Sequence, residues 1–512
     1  MRLRKLLNNI DNKFSYEDNL EDNLEDNLEI KEIKTDSREV KNGDLFVCIA
    51  GTQIDGHDFI EQAIANGAVS IVTEKKITVS NSEITVIEVE DTKKALAIMC
   101  RNFYDDPCKS MKIIGVTGTN GKTSTTYFVK HILENAGYKV GLIGTNQYIV
   151  GDRIIDSSTT LTTPDQLELM SLFSKMRDSN CTHVVMEVSS HSLIQSRVYG
   201  IEFEVGVLTN ITIDHLDFHH TLANYIEAKS LLFKQSKYKI LNKDDKFYNQ
   251  MCDLLREYTT DIFTYGIFDG NVRGKNWSLD NKSVSYDLFF DVSEHRLEDK
   301  DNELANMSDT KYSVKVPIPG MFTIYNSLTA ISVCLKLGIS IDKIIESLAT
   351  VQSVKGRIEV LDLNRDFSVI IDYSHTPDSL QNVLKTVREF TKNRIIAVFG
   401  CGGNRDRTKR PIMGKIGVQL ADFSVITSDN PRFESPDEII RQIVAGIDGQ
   451  KNKYVVIENR RDAIKYAINI ARKHDIVVLC GKGHETYQIL GDKKIDFDER
   501  VIVSEILQEL NI

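Results

Sequence analysis

The sequence lacks the features that would direct it to a membrane, an oxidising compartment or a nucleic-acid surface. No run of about eighteen apolar residues occurs in its 512 residues, so no helix is expected to span a bilayer. The opening MRLRKLLNNIDNKF has no apolar stretch of the kind an export signal needs, and a cytoplasmic protein is expected. A basic excess is missing too. The 63 Lys and Arg against 74 Asp and Glu leave a net charge of −11, which gives no electrostatic reason for nucleic-acid or anionic-membrane binding but still permits local basic pockets. No CxxC spacing exists, and Cys48, Cys100, Cys108, Cys181, Cys252, Cys334, Cys401 and Cys480 are scattered, mostly in apolar runs. That usage excludes a zinc site or disulfide framework and predicts reduced core thiols.

What is present is ordinary globular composition, 41% hydrophobic and 27% charged, which excludes a fibrous or wholly disordered chain. At roughly 100–200 residues per domain the length suggests about three domains. The only internal repeat is DNLE, three times in tandem over 18–29, far too short a period for a solenoid and best read as a solvated tract. From residue 33 to about 107 short strands (DLFVCI, AVSIVTE, ITVIEVE) accompany a helix, DFIEQAIANG, and predict a small α/β N-terminal domain over 1–110. From Lys112 the pattern becomes longer βα alternation: KIIGVTG, a helix from Lys122 to about Ala136, VGLIG, a helix after Pro164, then HVVMEVSS and VGVLTNI. Such alternation predicts a parallel sheet in a central domain, 111–355. The charge-rich stretch 268–309 reads as a peripheral excursion. Beyond Gly356 the strands FSVIIDY, RIIAVFG, FSVITSD, YVVIEN and DIVVLCG predict a third, Rossmann-like α/β domain over 356–512, with motif residues at the carboxyl ends of strands.

The strongest local signal is GVTGTNGKTS at 115–124, between an apolar strand and a helix. Backbone N–H groups of such a loop cradle a polyphosphate, the Lys122 ammonium reaches the β- and γ-phosphates, and the Thr123 hydroxyl suits Mg²⁺. Val116 stands where the strict P-loop pattern has its first glycine, so the cradle relies on Gly118 and Gly121, with Thr119, Asn120 and Ser124 completing the loop.

Further motifs follow in order: TDSR (35–38), LTTP (161–164), MEVSSH (186–191), NITIDHLDFH (210–219), YIEAK (225–229), GR (356–357), DYSHTPD (372–378), GCGGNRDRTKRP (400–411), DNPR (429–432) and GKGHE (481–485). With TGTNGKT, this series resembles the Mur ligase family, ATP-dependent enzymes that form peptide bonds on cell-wall precursors. The resemblance covers nearly the whole chain except the DNLE tract and 268–309, and looks like the branch that adds the third amino acid.

Glu187 ends a predicted buried strand and His215 lies just beyond the next. A carboxylate and a neutral imidazole at that edge suit a Mg²⁺ held against the γ-phosphate; a lone histidine is more often structural, and it is the resemblance that favours His215 as a ligand. Lys229 reads, by residue type, as one of many surface helix lysines; the resemblance implies instead that it is carbamylated by CO₂ and bridges to a second Mg²⁺, which requires a desolvated, neutral amine. The resemblance also implies that Asn326, Arg357 and Asp372 hold the nucleotide, Asp372 being on local grounds equally a turn-capping aspartate. It implies uridine contacts from Ser37, Thr52, Gln53 and Ile54. Thr162, Thr163, Ser189, Gln195 and Arg197 would hold the diphosphate and muramoyl peptide.

DNPR follows a strand, so Asp429, Asn430, Pro431 and Arg432 are expected at a sheet edge, where the arginine fork suits a carboxylate on the incoming amino acid; a surface turn is the alternative. Glu485 with the Gly481 carbonyl would take a distal ammonium, and Arg405 would serve carboxylates. The expected reaction therefore joins meso-diaminopimelate to UDP-N-acetylmuramoyl-L-alanyl-D-glutamate with ATP, through an acyl phosphate, with closure of the third domain excluding water. The expected partners are these small molecules alone, with no nucleic acid, no membrane span and a monomeric chain. An L-lysine-adding member, a folylpolyglutamate synthetase-like ligase and a P-loop switch are the alternatives.

Overall fold

The structure, a computed structural model, describes residues 1–14, 28–51, 54–79, 81, 83–155, 161–258, 261–291, 310–361 and 363–510. Most of the DNLE tract, Thr52, Gln53 and 292–309 lie outside the described residues. The chain forms two compact units, Met1–Tyr265 with Ser332–Ile339, and Gly266–Ile331 with Ser340–Ile512.

The first unit opens with a five-stranded sheet in the order Asn12–Phe14, Thr85–Val89, Ala68–Thr73, Asp44–Val47, Ile33–Lys34, antiparallel only at its first pair. Helix Thr92–Phe103 leads out of it, started by Asp91, whose carboxylate accepts from the backbone N–H groups of Lys93 and Lys94. The second sheet of this unit is the predicted parallel one. Strand Lys112–Thr117 lies between His183–Glu187 and Phe203–Leu208, with Val140–Ile143 beyond the former and Ser236–Asn242 beyond the latter. Their registers, Val116 opposite Glu187 and Thr117 opposite Leu208, bring the carboxyl ends of the three central strands to one edge. That edge is where an open α/β sheet presents ligand-binding residues.

In the second unit a six-stranded sheet runs Glu359–Leu361, Ser368–Asp372, Ile476–Cys480, Ile395–Phe399, Phe423–Ile426, Tyr454–Val456, parallel except at its first pair. Alternate residues face opposite ways. Ile370, Ala397, Phe399 and Val478 join the core with Leu380, Met413 and Ile440, whereas Val369, Ile371, Val398 and Val477 pack with Ile464, Ile468, Val503 and Ile506. Helices therefore cover both faces, as the near-continuous apolar strands predict.

The reading of 268–309 as peripheral is corrected in its described part. Val272–Leu279, Val284–Phe290 and Tyr312–Val316 form an antiparallel meander, and Val284, Tyr286, Leu288 and Phe290 are buried at a period of two. Polar residues on the alternate positions masked that pattern. All eight cysteines are free, seven of them buried. Among the described residues no helix is long and apolar enough to cross a membrane.

Candidate active site

In the first unit the P-loop turns directly from its strand into helix Lys122–Asn135. Gly118 has φ of 145°, and a Cβ there would stand 1.9 Å from Thr209 Oγ1, so no other residue fits this turn. The segment after Leu208 braces the loop: Thr119 N donates to Asn210 O (2.8 Å), Asn120 N to Asn210 Oδ1 (3.0 Å) and Thr209 Oγ1 to Asn120 O (2.6 Å). Lys122 Nζ donates to the carbonyls of Gly118 (2.9 Å) and Thr119 (3.0 Å), which folds its ammonium back over the cradle.

Glu187 is buried at the end of its strand and accepts from Thr145 N (3.0 Å) and Thr145 Oγ1 (3.2 Å). Thr145 Oγ1 also lies within hydrogen-bond distance of Thr162 Oγ1, at 3.2 Å. Thr163 Oγ1 donates to Glu187 O (2.9 Å) and accepts from Ser189 N (3.0 Å), while Arg197 donates to Thr163 O (2.7 Å) and to Gln195 Oε1. Glu187, Thr162, Thr163, Ser189, Gln195 and Arg197 thus form one connected set beside the P-loop strand.

Lys229 is only 1% exposed, which overturns its reading as a surface lysine. Helix Leu222–Lys234 places Tyr225 and Lys229 four residues apart on its buried face, and Lys229 Nζ lies 4.3 Å from the Tyr225 ring centre. The amine forms no hydrogen bond or ion pair among the described residues. Burial, reinforced by the Lys122 charge, pushes it well below the usual lysine range. The Tyr225 hydroxyl shares a 3.1 Å hydrogen bond with Thr119 Oγ1, linking this pocket to the P-loop. His215, at φ 53°, precedes the short helix Leu216–His219, and its ring lies 4.9 Å from His191 and 6.2 Å from Tyr225. Ser37 is set apart in the N-terminal sheet region, where its buried hydroxyl donates to Gln62 Oε1 (2.8 Å); Ile54 is exposed.

In the second unit Asn326 lies on helix Met321–Lys336. Asp372 accepts from Ile358 N (2.9 Å), Ser374 N (3.0 Å) and Ser374 Oγ, and the Arg357 guanidinium lies 5.8 Å from the Tyr373 ring centre. Asp372 therefore does cap a turn, and the turn it caps holds Arg357 next to it.

At the same carboxyl edge of that sheet, Asn430 Nδ2 donates to Glu485 Oε2 (3.0 Å), and its Oδ1 accepts from Lys482 Nζ (3.1 Å) and Ile489 N (3.0 Å). Arg432, left-handed at φ 52°, is stitched to the hairpin Tyr487–Leu490/Lys493–Asp496 by Arg432 N to Ile489 O (3.1 Å) and Gly491 N to Arg432 O (2.8 Å). One guanidinium nitrogen, Nη1, donates to Gly403 O at 3.0 Å and Asn430 O at 3.5 Å, and the other donors of the fork have no hydrogen-bond partner among the described residues. Gly481, at φ 119°, passes so close to Asp429 that a Cβ would stand 2.4 Å from its Oδ2. Arg405 is exposed, with Nη1 donating to Asn404 O at 3.3 Å, and its side chain flanks Gly402 as Arg432 Nη1 does. The buried Arg410 pairs with the partly buried Glu434 at 3.0 Å, which ties this loop to the one bearing Arg432 and lowers the Glu434 pKa to about 2. Sequence reading missed Thr145, Tyr225, Lys482 and this Arg410–Glu434 pair; Tyr225 and Lys482 fall inside motifs already singled out, whereas nothing in the local sequence marks Thr145.

Two α/β units, one with a P-loop at the carboxyl edge of a parallel sheet and one with a cluster of cations and carboxylates at a similar edge, are the architecture of a nucleotide-using enzyme. Family models match consecutive segments of the chain: "Mur ligase family, catalytic domain" over 29–104, "Mur ligase middle domain" over 116–334 and "Mur ligase, glutamate ligase domain" over 356–483. The chain belongs to the Mur ligase family. It is 49% identical, over 94% of its length and 95% of the relative's, to UDP-N-acetylmuramoyl-L-alanyl-D-glutamate--2,6-diaminopimelate ligase 1 of Clostridium acetobutylicum. It is 45% identical, over 99% of both chains, to the correspondingly named ligase of Caldanaerobacter subterraneus. A solved structure of a UDP-N-acetylmuramoyl-L-alanyl-D-glutamate--2,6-diaminopimelate ligase superposes with a TM-score of 0.68 and 29% identity, covering 94% of this chain and 96% of that one.

Proposed function

We propose that this protein joins meso-diaminopimelate to UDP-N-acetylmuramoyl-L-alanyl-D-glutamate in the cytoplasm, consuming ATP. Residues 1–110 take the uridine end, 111–355 the ATP and 356–512 the amino acid. The observation that carries the choice of amino acid is the cluster around Asn430, which places an arginine fork and a carboxylate on neighbouring loops. A distal carbon bearing both a carboxylate and an ammonium matches that pair, and the relatives alike over nearly their whole length carry the corresponding name.

The glutamyl carboxylate attacks the γ-phosphorus in line, ADP leaves, and an acyl phosphate forms. The diaminopimelate amine then adds to its carbonyl, and the tetrahedral intermediate expels inorganic phosphate. The P-loop amides and Lys122 hold the triphosphate. Arg197, Thr162, Thr163, Ser189 and Gln195 orient the muramoyl peptide, and Asn326, Arg357 and Asp372 take the nucleoside. Among the described residues no three His, Cys, Asp or Glu side chains gather closely enough to enclose a metal. Mg²⁺ keeps several waters and takes one or two protein ligands beside phosphate oxygens, a demand that the buried Glu187 carboxylate at its strand end and the Thr123 hydroxyl at the P-loop suit. Thr123, Glu187 and His215 would hold it, and it would offset charge between γ-phosphate and carboxylate. Lys229, buried, lowered in pKa and without a hydrogen-bonded partner among the described residues, fits the carbamate expected on it.

ATP-dependent ligation measured with meso-diaminopimelate, L-lysine and L-ornithine tests the reading. Turnover is expected with meso-diaminopimelate and the UDP-sugar dipeptide together, and equal use of L-lysine overturns the choice of amino acid. Arg432→Ala is expected to lower kcat/KM for meso-diaminopimelate by about 10- to 100-fold, the worth of hydrogen bonds to a charged group, with KM for ATP nearly unchanged. Arg432→Lys recovers only part, because a point charge does not reproduce the fork.

A further inference from the structure

Lys482 is a charged side chain with no exposed surface, enclosed at the selector edge of the second unit. Its Nζ donates to Tyr487 O (2.7 Å) and Asn430 Oδ1 (3.1 Å) and lies 3.4 Å from Glu485 Oε2, with the rings of Tyr487 and Phe497 at 5.9 and 5.8 Å. Ile489 N–H approaches the same amide oxygen at 3.0 Å. Two donors that cannot accept therefore fix which end of the Asn430 amide faces them, and the NH₂ faces Glu485. A buried cation is costly to desolvate unless its neighbours offset it, so a lysine at this position needs a compensating arrangement of charge.

The charges supply one. The group comprises two cations, Arg432 and Lys482, and two anions, Asp429 and Glu485, all within electrostatic reach of Lys482 or Tyr487. The nearby Arg460 is closed off by its own ion pair with Glu499 at 2.8 Å. The pocket is thus balanced, and it suits a distal centre that is itself balanced, one carboxylate and one ammonium. Without Lys482 the group carries one excess negative charge and suits a lone ammonium, the distal group of L-lysine.

We propose that Lys482 is a positioning residue that sets selectivity for a zwitterionic distal centre over a lone ammonium, by orienting Asn430 and balancing Glu485. The proposal rests on the assignment of this edge to the incoming amino acid. Wild-type ligation of meso-diaminopimelate is therefore measured first, and its absence counts against that assignment rather than against Lys482.

The test is Lys482→Met, a flexible apolar chain of similar length. KM for meso-diaminopimelate is expected to rise about 10-fold or more, and the kcat/KM ratio of meso-diaminopimelate to L-lysine to fall about 10-fold or more, with KM for ATP within about twofold. A residue that merely supported the fold would move all three together. Glu485→Gln and the double variant Lys482→Met/Glu485→Gln complete the test and carry it if the single Met variant does not fold. Glu485→Gln alone leaves Lys482 unbalanced, so adding Lys482→Met is expected to raise kcat/KM for meso-diaminopimelate above that of Glu485→Gln. A folded Lys482→Met with wild-type selectivity, or a double variant weaker or less folded than Glu485→Gln, overturns the proposal.

Discussion

Lys122→Ala is expected to lower kcat by about 10²- to 10³-fold while the protein stays folded, the range found when one preorganised donor to developing charge is removed. The Lys122 ammonium rests on the Gly118 and Thr119 carbonyls, at the loop that receives the phosphates. During transfer, charge builds on the γ-phosphoryl oxygens and the leaving ADP oxygen, and a fixed ammonium stabilises that state more than bound ATP. Alanine is a good helix former, and the loop remains braced through Thr209 and Asn210, so thermal denaturation should shift little. A second consequence follows from the charge that Lys122 projects onto Lys229. Its removal lets the Lys229 amine rise back towards its ordinary range, so the neutral fraction of Lys229 falls in the variant. Single-turnover ADP formation measures the first effect. Near-normal turnover by a folded variant removes Lys122 from phosphoryl transfer.

The parts of this site that local chemistry encodes were legible in the sequence. Gly118, Gly121, Lys122 and Thr123 are contiguous, and their order between a strand and a helix states their geometry. Glu187 was legible because a carboxylate ending a buried strand has only the sheet edge to occupy. Lys229 was not, since lysines on helices are solvated as a rule. The signal lay in its neighbours: Tyr225, Ile226, Leu232 and Phe233 share the buried part of the helix, and the four-residue spacing from Tyr225 puts Lys229 among them. The meander after Gly266 was misread for the opposite reason, because charged residues alternate with its buried ones and composition averages the two. The hairpin Tyr487–Asp496 was not read at all. It reaches Arg432 through backbone hydrogen bonds, which any residues can make.

Lys229→Ala is expected to lose at least about 10³-fold in kcat, if the reaction needs an anion where the sequence supplies an amine. The structure sets the conditions for that conversion. CO₂ adds only to a neutral amine, and burial together with the Lys122 charge holds Lys229 well below the usual lysine range. Its folded value being lowered, the neutral form is present at lower pH than for a solvated lysine and is lost as pH falls through the folded value. No carboxylate among the described residues forms an ion pair with the amine; the Asp214 charge acts on it only at longer range and opposes the lowering. The Tyr225 ring covers one side, which slows exchange with water. Alanine keeps the helix and removes the carbamate's anchor, so short carboxylates added to Lys229→Ala should restore part of the activity, whereas ammonium compounds should not. Carbon-13 bicarbonate supplies a readout independent of turnover: wild-type protein should give a carbamate resonance that Lys229→Ala lacks. An active, bicarbonate-equilibrated wild-type protein without that resonance would show that Lys229 acts as an amine, leaving the P-loop and the amino-acid pocket as assigned.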